Sequence, residues 1–199
     1  ISRPLEEMQG AIIEVNAGPG LLMHVKPAVG QPRPVGKAVV NHLFAANDSG
    51  RIPVVGIVGT EQTTQLAQLV AWLQHLSGKR TGLACKDGLY MDQHQVSNKD
   101  ARGFDTSERL LINRALDAAV FETTPLLILN EGLAYDRCHV GVVTNMPTTD
   151  EQLIQLHDIQ TPEQMRTVVR TQVDLVLPEG AAVLNAEDPA AVSYTHLTL

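Results

Sequence analysis

IPVVGIVGTEQTTQLAQLVAWLQHLSG, residues 52–78, decides the fold. Pro53 to Val58 is a short apolar run with the Val and Ile content of a buried strand, broken at Gly59-Thr60. From Thr63 the apolar residues Leu66, Leu69, Val70, Leu73 and Leu76 recur at helical spacing, and Gly78 stands where a helix C-terminal glycine belongs. A strand, a tight glycine turn and a helix form the framework of a phosphate-binding loop, whose backbone N–H groups and helix N-terminus hold a nucleotide's phosphates. The chemistry of this loop is altered. Glu61-Gln62-Thr63 stands where Gly-Lys-Thr would carry the phosphate-neutralising lysine, so a carboxylate replaces a cation. Trp72, one step from the Leu69 and Leu73 face, reads as a packing residue rather than a stacking platform.

Outward from this stretch, strands and helices alternate. Thr81–Cys85 reads as a second strand, followed by an Asp87-Gly88 turn and a polar surface loop running to Gly103. Asp105-Thr-Ser-Glu108 has the form of a capping box with Asp105 as the cap, opening a helix to about Asp117. Ala118–Phe121 reads as a third strand ending at Glu122, and Pro125 as a break before the apolar Leu126–Leu129. Val140–Thr144 makes a fourth strand with Asn145 at its end. Thr161-Pro-Glu-Gln164 starts a helix that carries Met165, Val168, Val169 and Gln172 inward, Pro178-Glu-Gly180 turns the chain, and Ala181–Leu184 is a last strand. This alternation predicts a doubly wound α/β sheet. Ligands of such sheets bind beyond the C-terminal strand ends, where Gly59, Glu122, Asn145 and Asn185 fall.

Before the central stretch, Ile12–Val15 is strand-like and places Glu14 and Asn16 on one face of an extended chain. A carboxylate and an amide oxygen so placed are hard ligands suited to magnesium, and equally the polar side of an edge strand. Gln31–Pro34 reads as an extended linker, Val35–Phe44 as a short amphipathic helix, and Asn47-Asp-Ser-Gly50 as the turn that separates two domains.

Composition narrows the function classes. A hydrophobic content of 44% supports a substantial core. A net charge of −7 with scattered Lys and Arg argues against a nucleic-acid or anionic-membrane surface. No apolar run approaches the roughly 18 residues of a spanning helix, which argues against a membrane location. Cys85 and Cys138 have neither metal-ligand spacing nor a disulfide framework, the usage of a reducing cytoplasm. The chain enters at Ile1 as if in mid-domain and is expected to be a piece of a longer protein; residues 192–199 fit no element and read as a non-native tail.

Taken in order, Ile13-Glu-Val-Asn-Ala17 with Met23-His24, Val58-Gly-Thr60 with Thr63-Thr64, Asp87-Gly-Leu-Tyr90, Glu122-Thr123, Glu131-Gly-Leu133 with Asp136-Arg-Cys138, Val140–Asn145, and Val183-Leu-Asn185 with Asp188-Pro189 resemble the cyanophycin synthetases over nearly all of residues 10–189. The resemblance implies a C-terminal edge of an ATP-grasp domain and linker over 1–46, and an incomplete, mostly parallel Mur ligase-like central sheet over 47–191. It further implies an ATP-dependent carbon–nitrogen ligase that builds an aspartate backbone with arginine branches through acyl phosphates. ATP and Mg²⁺ would then be its cofactors, an aspartate/arginine-containing polymer or dipeptide its partner, and a homo-oligomer its form. Glu14 and Asn16 correspond to the magnesium pair of the ATP-grasp site. Gly59, Thr60, Thr63, Thr64, Asn185 and Asp188 correspond to nucleotide-contacting positions of the Mur-like domain.

The departures fall in one predicted crevice. Active relatives read Gly-Thr-Asn-Gly-Lys-Thr-Thr, where this chain has Gly59-Thr-Glu-Gln-Thr-Thr64. After Glu122-Thr123 the family's Ala-Arg-Gly-Gly is replaced by Thr124-Pro-Leu-Leu127, and after Asn145, where the family has an Asp-His pair, Met146-Pro-Thr-Thr-Asp-Glu151 lacks the histidine. The Mur-like domain is therefore expected to keep its fold without ATP-dependent ligation, leaving this fragment alone inactive. The alternatives are a non-catalytic scaffold or oligomerisation domain, and an active Mur-family ligase with an unusual loop. Glu122 reads as a strand-end polar residue or a metal ligand, and Asn185 and Asp188 as nucleotide contacts or an Asx turn before Pro189.

Overall fold

A computed structural model describes residues 7, 9, 15–18, 20–44, 46 and 48–192. The chain packs as two units, Ile1–Arg51 and Ile52–Leu199. In the first, α1 (Leu22–Val25) and α2 (Val35–Leu43) have no buried residue. Asp48 Oδ1 accepts from Gly50 N at 2.8 Å, the expected Asx turn. Most of the strand expected over 12–15, including Glu14, lies outside the described residues; Val15 is exposed and not in a strand.

The second unit is built on a seven-stranded sheet. Its strands are β1 (Val54–Val58), β2 (Thr81–Cys85), β3 (Gly88–Met91), β4 (His94–Ser97), β5 (Ala118–Thr123), β6 (Cys138–Val143) and β7 (Val176–Leu184). They lie in the order β4-β3-β2-β5-β1-β6-β7. The five strands from β2 to β7 are parallel, and β3 and β4 extend the β2 edge antiparallel. Every residue of β1, β2 and β5 is buried, as parallel strands covered on both faces require. On one face, Val55, Ile57, Leu83, Cys85, Val120 and Val142 pack under α3 (Thr63–Leu76). The other face lies under α4 (Phe104–Leu111), α5 (Pro125–Glu131), α6 (Glu151–His157), α7 (Pro162–Asp174) and the short α8 (Pro189–Val192). The doubly wound, mostly parallel α/β architecture is the one the alternation predicts.

Helix α7 forms as its sequence dictates. Thr161 Oγ1 accepts from Gln164 N, Gln164 Oε1 accepts from Thr161 N at 3.0 Å, and Pro162 occupies the first turn. Met165, Val168, Val169 and Gln172 are all buried. Thr161→Ala removes the cap and is expected to cost about 1 kcal/mol. Urea unfolding checks this, and an unchanged midpoint would show the cap to be idle.

Several local expectations are corrected. Residues 88–97 of the stretch expected as loop form the β3–β4 hairpin, whose outer strand is an edge and needs no apolar alternation, while 98–103 carry no regular structure. Gly103, not Asp105, is the N-cap of α4, which ends at Leu111 rather than near Asp117. Pro125 does not break the chain but opens α5, with Thr124 Oγ1 accepting from Leu127 N, because proline suits a first helical turn. Pro178-Glu-Gly180 lies inside β7, absorbed where the register with β6 shifts between Cys138 and Val140. In α3 the inward face is Thr63, Thr64 and Ala67, with Val70 and Ala71 beside them. Leu69, Trp72, Leu73 and Leu76 are 49–60% exposed, so Trp72 does not pack in the core. Small residues let the helix lie close on the sheet and turn its larger side chains outward.

Candidate functional site

The carboxyl ends of β1, β2, β5, β6 and β7 fall along one edge of the sheet, because the register pairs Val58 with both Thr123 and Val143, and Val143 with Leu184. The segments that follow these strands therefore converge, as in other open α/β sheets. Here the loop 59–62 is bonded to Asn145, Thr144–Met146 is bonded in turn to Asn185 and Asp188, and the start of α3 at Thr63 and Thr64 meets Glu122.

Asn145 closes the loop. Its Oδ1 accepts from Thr60 N at 2.9 Å and from Glu61 N at 3.1 Å, and its Nδ2 donates to Thr60 Oγ1 at 2.9 Å. Thr144 Oγ1 also donates to Asn145 Oδ1, at 3.1 Å. Gly59 has φ +151°, and a Cβ there would stand 2.1 Å from Thr144 Oγ1, so only glycine lets β1 and β6 end this close together. Behind them, Asn185 Nδ2 donates to Thr144 O at 2.9 Å while its Oδ1 accepts from Glu187 N at 3.0 Å. Asp188 accepts from Met146 N at 2.6 Å and Ala190 N at 2.9 Å. The Met146 N–H, ahead of those of Ala191 and Ala190, holds the Asp188 carboxyl below the usual carboxylate range. Asn185 and Asp188 thus spend these hydrogen bonds on the chain's own backbone, as an Asx turn and a helix cap.

Glu122 continues the Val120 side of β5 into this edge and is only 2% exposed. Its Oε1 accepts from Thr63 Oγ1 at 2.9 Å and Thr64 Oγ1 at 3.0 Å, and its Oε2 from Thr64 Oγ1 at 3.0 Å and Lys86 N at 2.8 Å. Arg102 Nη1 stands 3.8 Å from Oε1, and Arg102 is itself held by Asp100 at 2.6 Å. The Asp100 hydrogen bond first, with the charges of Asp100 and Glu122, raises the Arg102 pKa, and the hydrogen bond from Arg102 in turn lowers that of Asp100. Burial pushes the nearby Cys85 thiol up, which leaves it protonated and unreactive.

A cavity of about 630 Å³ opens beside the loop, lined by Glu61, Gln62, Gln65, Asn185, Glu187 and the apolar Leu66. No Lys or Arg lines it among the described residues. Nor do the described residues hold a cluster of three His, Cys, Asp or Glu able to bind a metal. Two loop N–H groups are taken by Asn145 and both threonine hydroxyls by Glu122, while Arg102, the cation nearest Glu122 in these contacts, is held by Asp100 and does not line the cavity. These residues do not fit a nucleotide's phosphates with magnesium.

Gly59, Thr60, Thr63 and Thr64 are brought together at the predicted crevice, with Asn185 and Asp188 joined to them through Thr144–Met146. For the pair named in the first unit, Glu14 lies outside the described residues and Asn16 is exposed. The sequence left the roles of Asn145 and Arg102 unread and Glu122 between two readings. The one available signal was the position of Glu122 and Asn145 at strand ends.

No family model matches the chain. It is 40% identical over 189 residues to the cyanophycin synthetase of Synechocystis sp., covering 95% of this chain and 21% of that protein. It is 38% identical over 198 residues to the cyanophycin synthetase of Trichormus variabilis, covering 100% of this chain and 22% of the relative. The chain thus spans about a fifth of the length of these curated relatives. It is also 28% identical over 163 residues, 77% of the chain and 30% of the relative, to a UDP-N-acetylmuramoyl-L-alanyl-D-glutamate–2,6-diaminopimelate ligase of Chlorobaculum tepidum. A solved structure of a ligase of that name superimposes with a TM-score of 0.60 and 15% identity over 80% of this chain and 31% of its own, a likeness of fold. The resemblance to cyanophycin synthetase therefore runs the length of the chain, and its sheet has the Mur ligase-like fold.

Proposed function

We propose, for a chain that matches cyanophycin synthetases from end to end, that it is part of an ATP-dependent amide-forming ligase that joins aspartate- and arginine-containing units, and that its Mur-like domain does not turn over ATP. The observation that carries the second half is the loop itself: between Gly59 and Thr63 it offers Thr60, Glu61 and Gln62, with no cation and an exposed carboxylate. Glu61 would repel a triphosphate by Coulomb's law, and nothing cationic lines the cavity among the described residues to offset it. Ligation then belongs to the ATP-grasp domain, where Glu14 and Asn16 supply hard oxygens for Mg²⁺. When bound, that ion would neutralise the charge of ATP's phosphates. The substrates follow the resemblance to cyanophycin synthetase. Loss of the second ligation site favours ready-made aspartyl-arginine units over free amino acids.

Thermal unfolding with and without Mg-ATP tests the domain directly. A ligand present at a hundredfold its Kd adds about 2.7 kcal/mol to the native state. The expected result is an unchanged Tm up to millimolar Mg-ATP; a saturable rise overturns the reading. In the full-length protein, turnover should require the dipeptide unit. Arginine-dependent turnover from free amino acids, abolished by Thr63→Ala, is the contrary outcome.

A further inference from the structure

We infer that Asn145 is the loop's own ligand: its carboxamide oxygen occupies the place an anionic oxygen would take and keeps the loop closed to phosphates. The inference rests on the reading that this loop turns over no nucleotide, and adds a cause beyond the missing lysine.

Two successive backbone N–H groups, of Thr60 and Glu61, converge on the single oxygen Oδ1 at 2.9 and 3.1 Å. Convergence of consecutive N–H groups on one acceptor is the geometry of an anion nest. Here the acceptor is neutral. It satisfies the donors without bringing negative charge beside Glu61, and it needs no lysine to balance it. The acceptor is also fixed: Nδ2 donates to Thr60 Oγ1 at 2.9 Å, Thr144 Oγ1 donates to Oδ1 at 3.1 Å, and Asn185 Nδ2 ties the Thr144 carbonyl at 2.9 Å. Gly59 admits this closeness, since a Cβ there would lie 2.8 Å from Asn145 Oδ1. An entering phosphate must therefore expel a side chain that is already oriented and bonded at both ends, which raises the cost of anion binding.

The two barriers, the Asn145 contact and the Glu61 charge, separate by mutation. Pyrophosphate binding is measured by titration calorimetry at constant ionic strength for the unmodified chain, Glu61→Gln, Asn145→Ala and the double variant. The unmodified chain and Glu61→Gln are expected to show no saturable binding at millimolar pyrophosphate, and the double variant to bind at least tenfold more tightly than Glu61→Gln. Equal gains for Glu61→Gln and the double variant overturn the proposal, because charge alone would then exclude the anion. So does a double variant that unfolds cooperatively yet gains nothing. Amide hydrogen exchange on the unmodified chain supplies a test that no variant's folding can spoil: the Thr60 and Glu61 amides are expected to be protected, and exchange at the unprotected rate overturns the contact. Mg-ATP binding by the unmodified chain sinks the functional reading, whereas failure of the double variant alone sinks only the role given to Asn145.

Discussion

Glu122→Ala is expected to lower the unfolding free energy of the sheet domain by about 3 kcal/mol, the range seen when one partner is removed from a buried hydrogen-bonded charge. The carboxylate accepts from Thr63 Oγ1, Thr64 Oγ1 and Lys86 N, and faces Arg102 at 3.8 Å. Alanine leaves these donors without their acceptor at a residue 2% exposed, and leaves the space of a carboxymethyl group to collapse or fill with water. Glu122→Gln keeps the shape but loses the charge that faces Arg102 and turns one acceptor of the threonine hydroxyls into a donor, for an expected loss of about 2 kcal/mol. Denaturant unfolding monitored at Trp72 reads both. The sign separates two roles. A carboxylate retained for a ligand stands among groups it would rather not face, and removing it often stabilises the protein. A carboxylate that fastens α3, β2 and β5 together does the reverse. An unchanged or raised midpoint for Glu122→Ala would return Glu122 to the ligand-binding reading.

What the sequence made legible was what local pattern controls. The parallel strands announce themselves as short apolar runs, and α7 as a capping box followed by an inward stripe, because burial on both faces and satisfaction of helix-end donors are set within a few residues. Apolar periodicity found α3 and placed Leu66 and Val70 rightly against the sheet, but turned Leu69, Leu73 and Leu76 inward with them. Leu69, Trp72, Leu73 and Leu76 are the larger hydrophobes, yet the sheet's spacing admits Thr63, Thr64 and Ala67. The β3–β4 hairpin was illegible for the opposite reason, since an edge pair can be mostly polar and exposed along its outer strand. At the site, the altered loop was plain from Glu61-Gln62. The partner of the loop was not: Thr60 and Asn145 are 85 residues apart and meet only because Val58 pairs with Val143. Glu122 shows the same limit. Its three donors come from α3 and from the end of β2, elements whose relation to β5 is a property of strand order.

Gly56→Ala is expected to cost 3 kcal/mol or more, about 6–12 °C in Tm for a domain of this size. The residue sits in the middle of β1, paired with Phe121 and Gly141 on either side. Its lack of a side chain opens the slot in which Tyr135 Oη donates to Gln172 Oε1 at 2.5 Å and Gln172 Nε2 reaches Cys138 Sγ at 3.4 Å. A Cβ would stand 2.1 Å from Tyr135 Oη and 2.5 Å from Gln172 Nε2, closer than any real contact. Tyr135 cannot swing away freely, because its ring stacks on Phe121 with centroids 5.4 Å apart and it is 6% exposed. Burial raises the Tyr135 hydroxyl well above its ordinary pKa and the Cys138 thiol to about 11, so both stay neutral and the network carries no charge to relocate. Tyr135→Phe removes the nearest clashing atom and leaves Gln172 Oε1 short of one donor, at about 1–2 kcal/mol alone. In the double variant, Gly56→Ala should cost less than in the native background, with the residue of the penalty set by Gln172. A coupling of at least about 1 kcal/mol in this double-mutant cycle is the expected result. Strict additivity would mean that the strand needs glycine at residue 56 for its backbone rather than for the room it leaves, even though its φ lies outside the left-handed region.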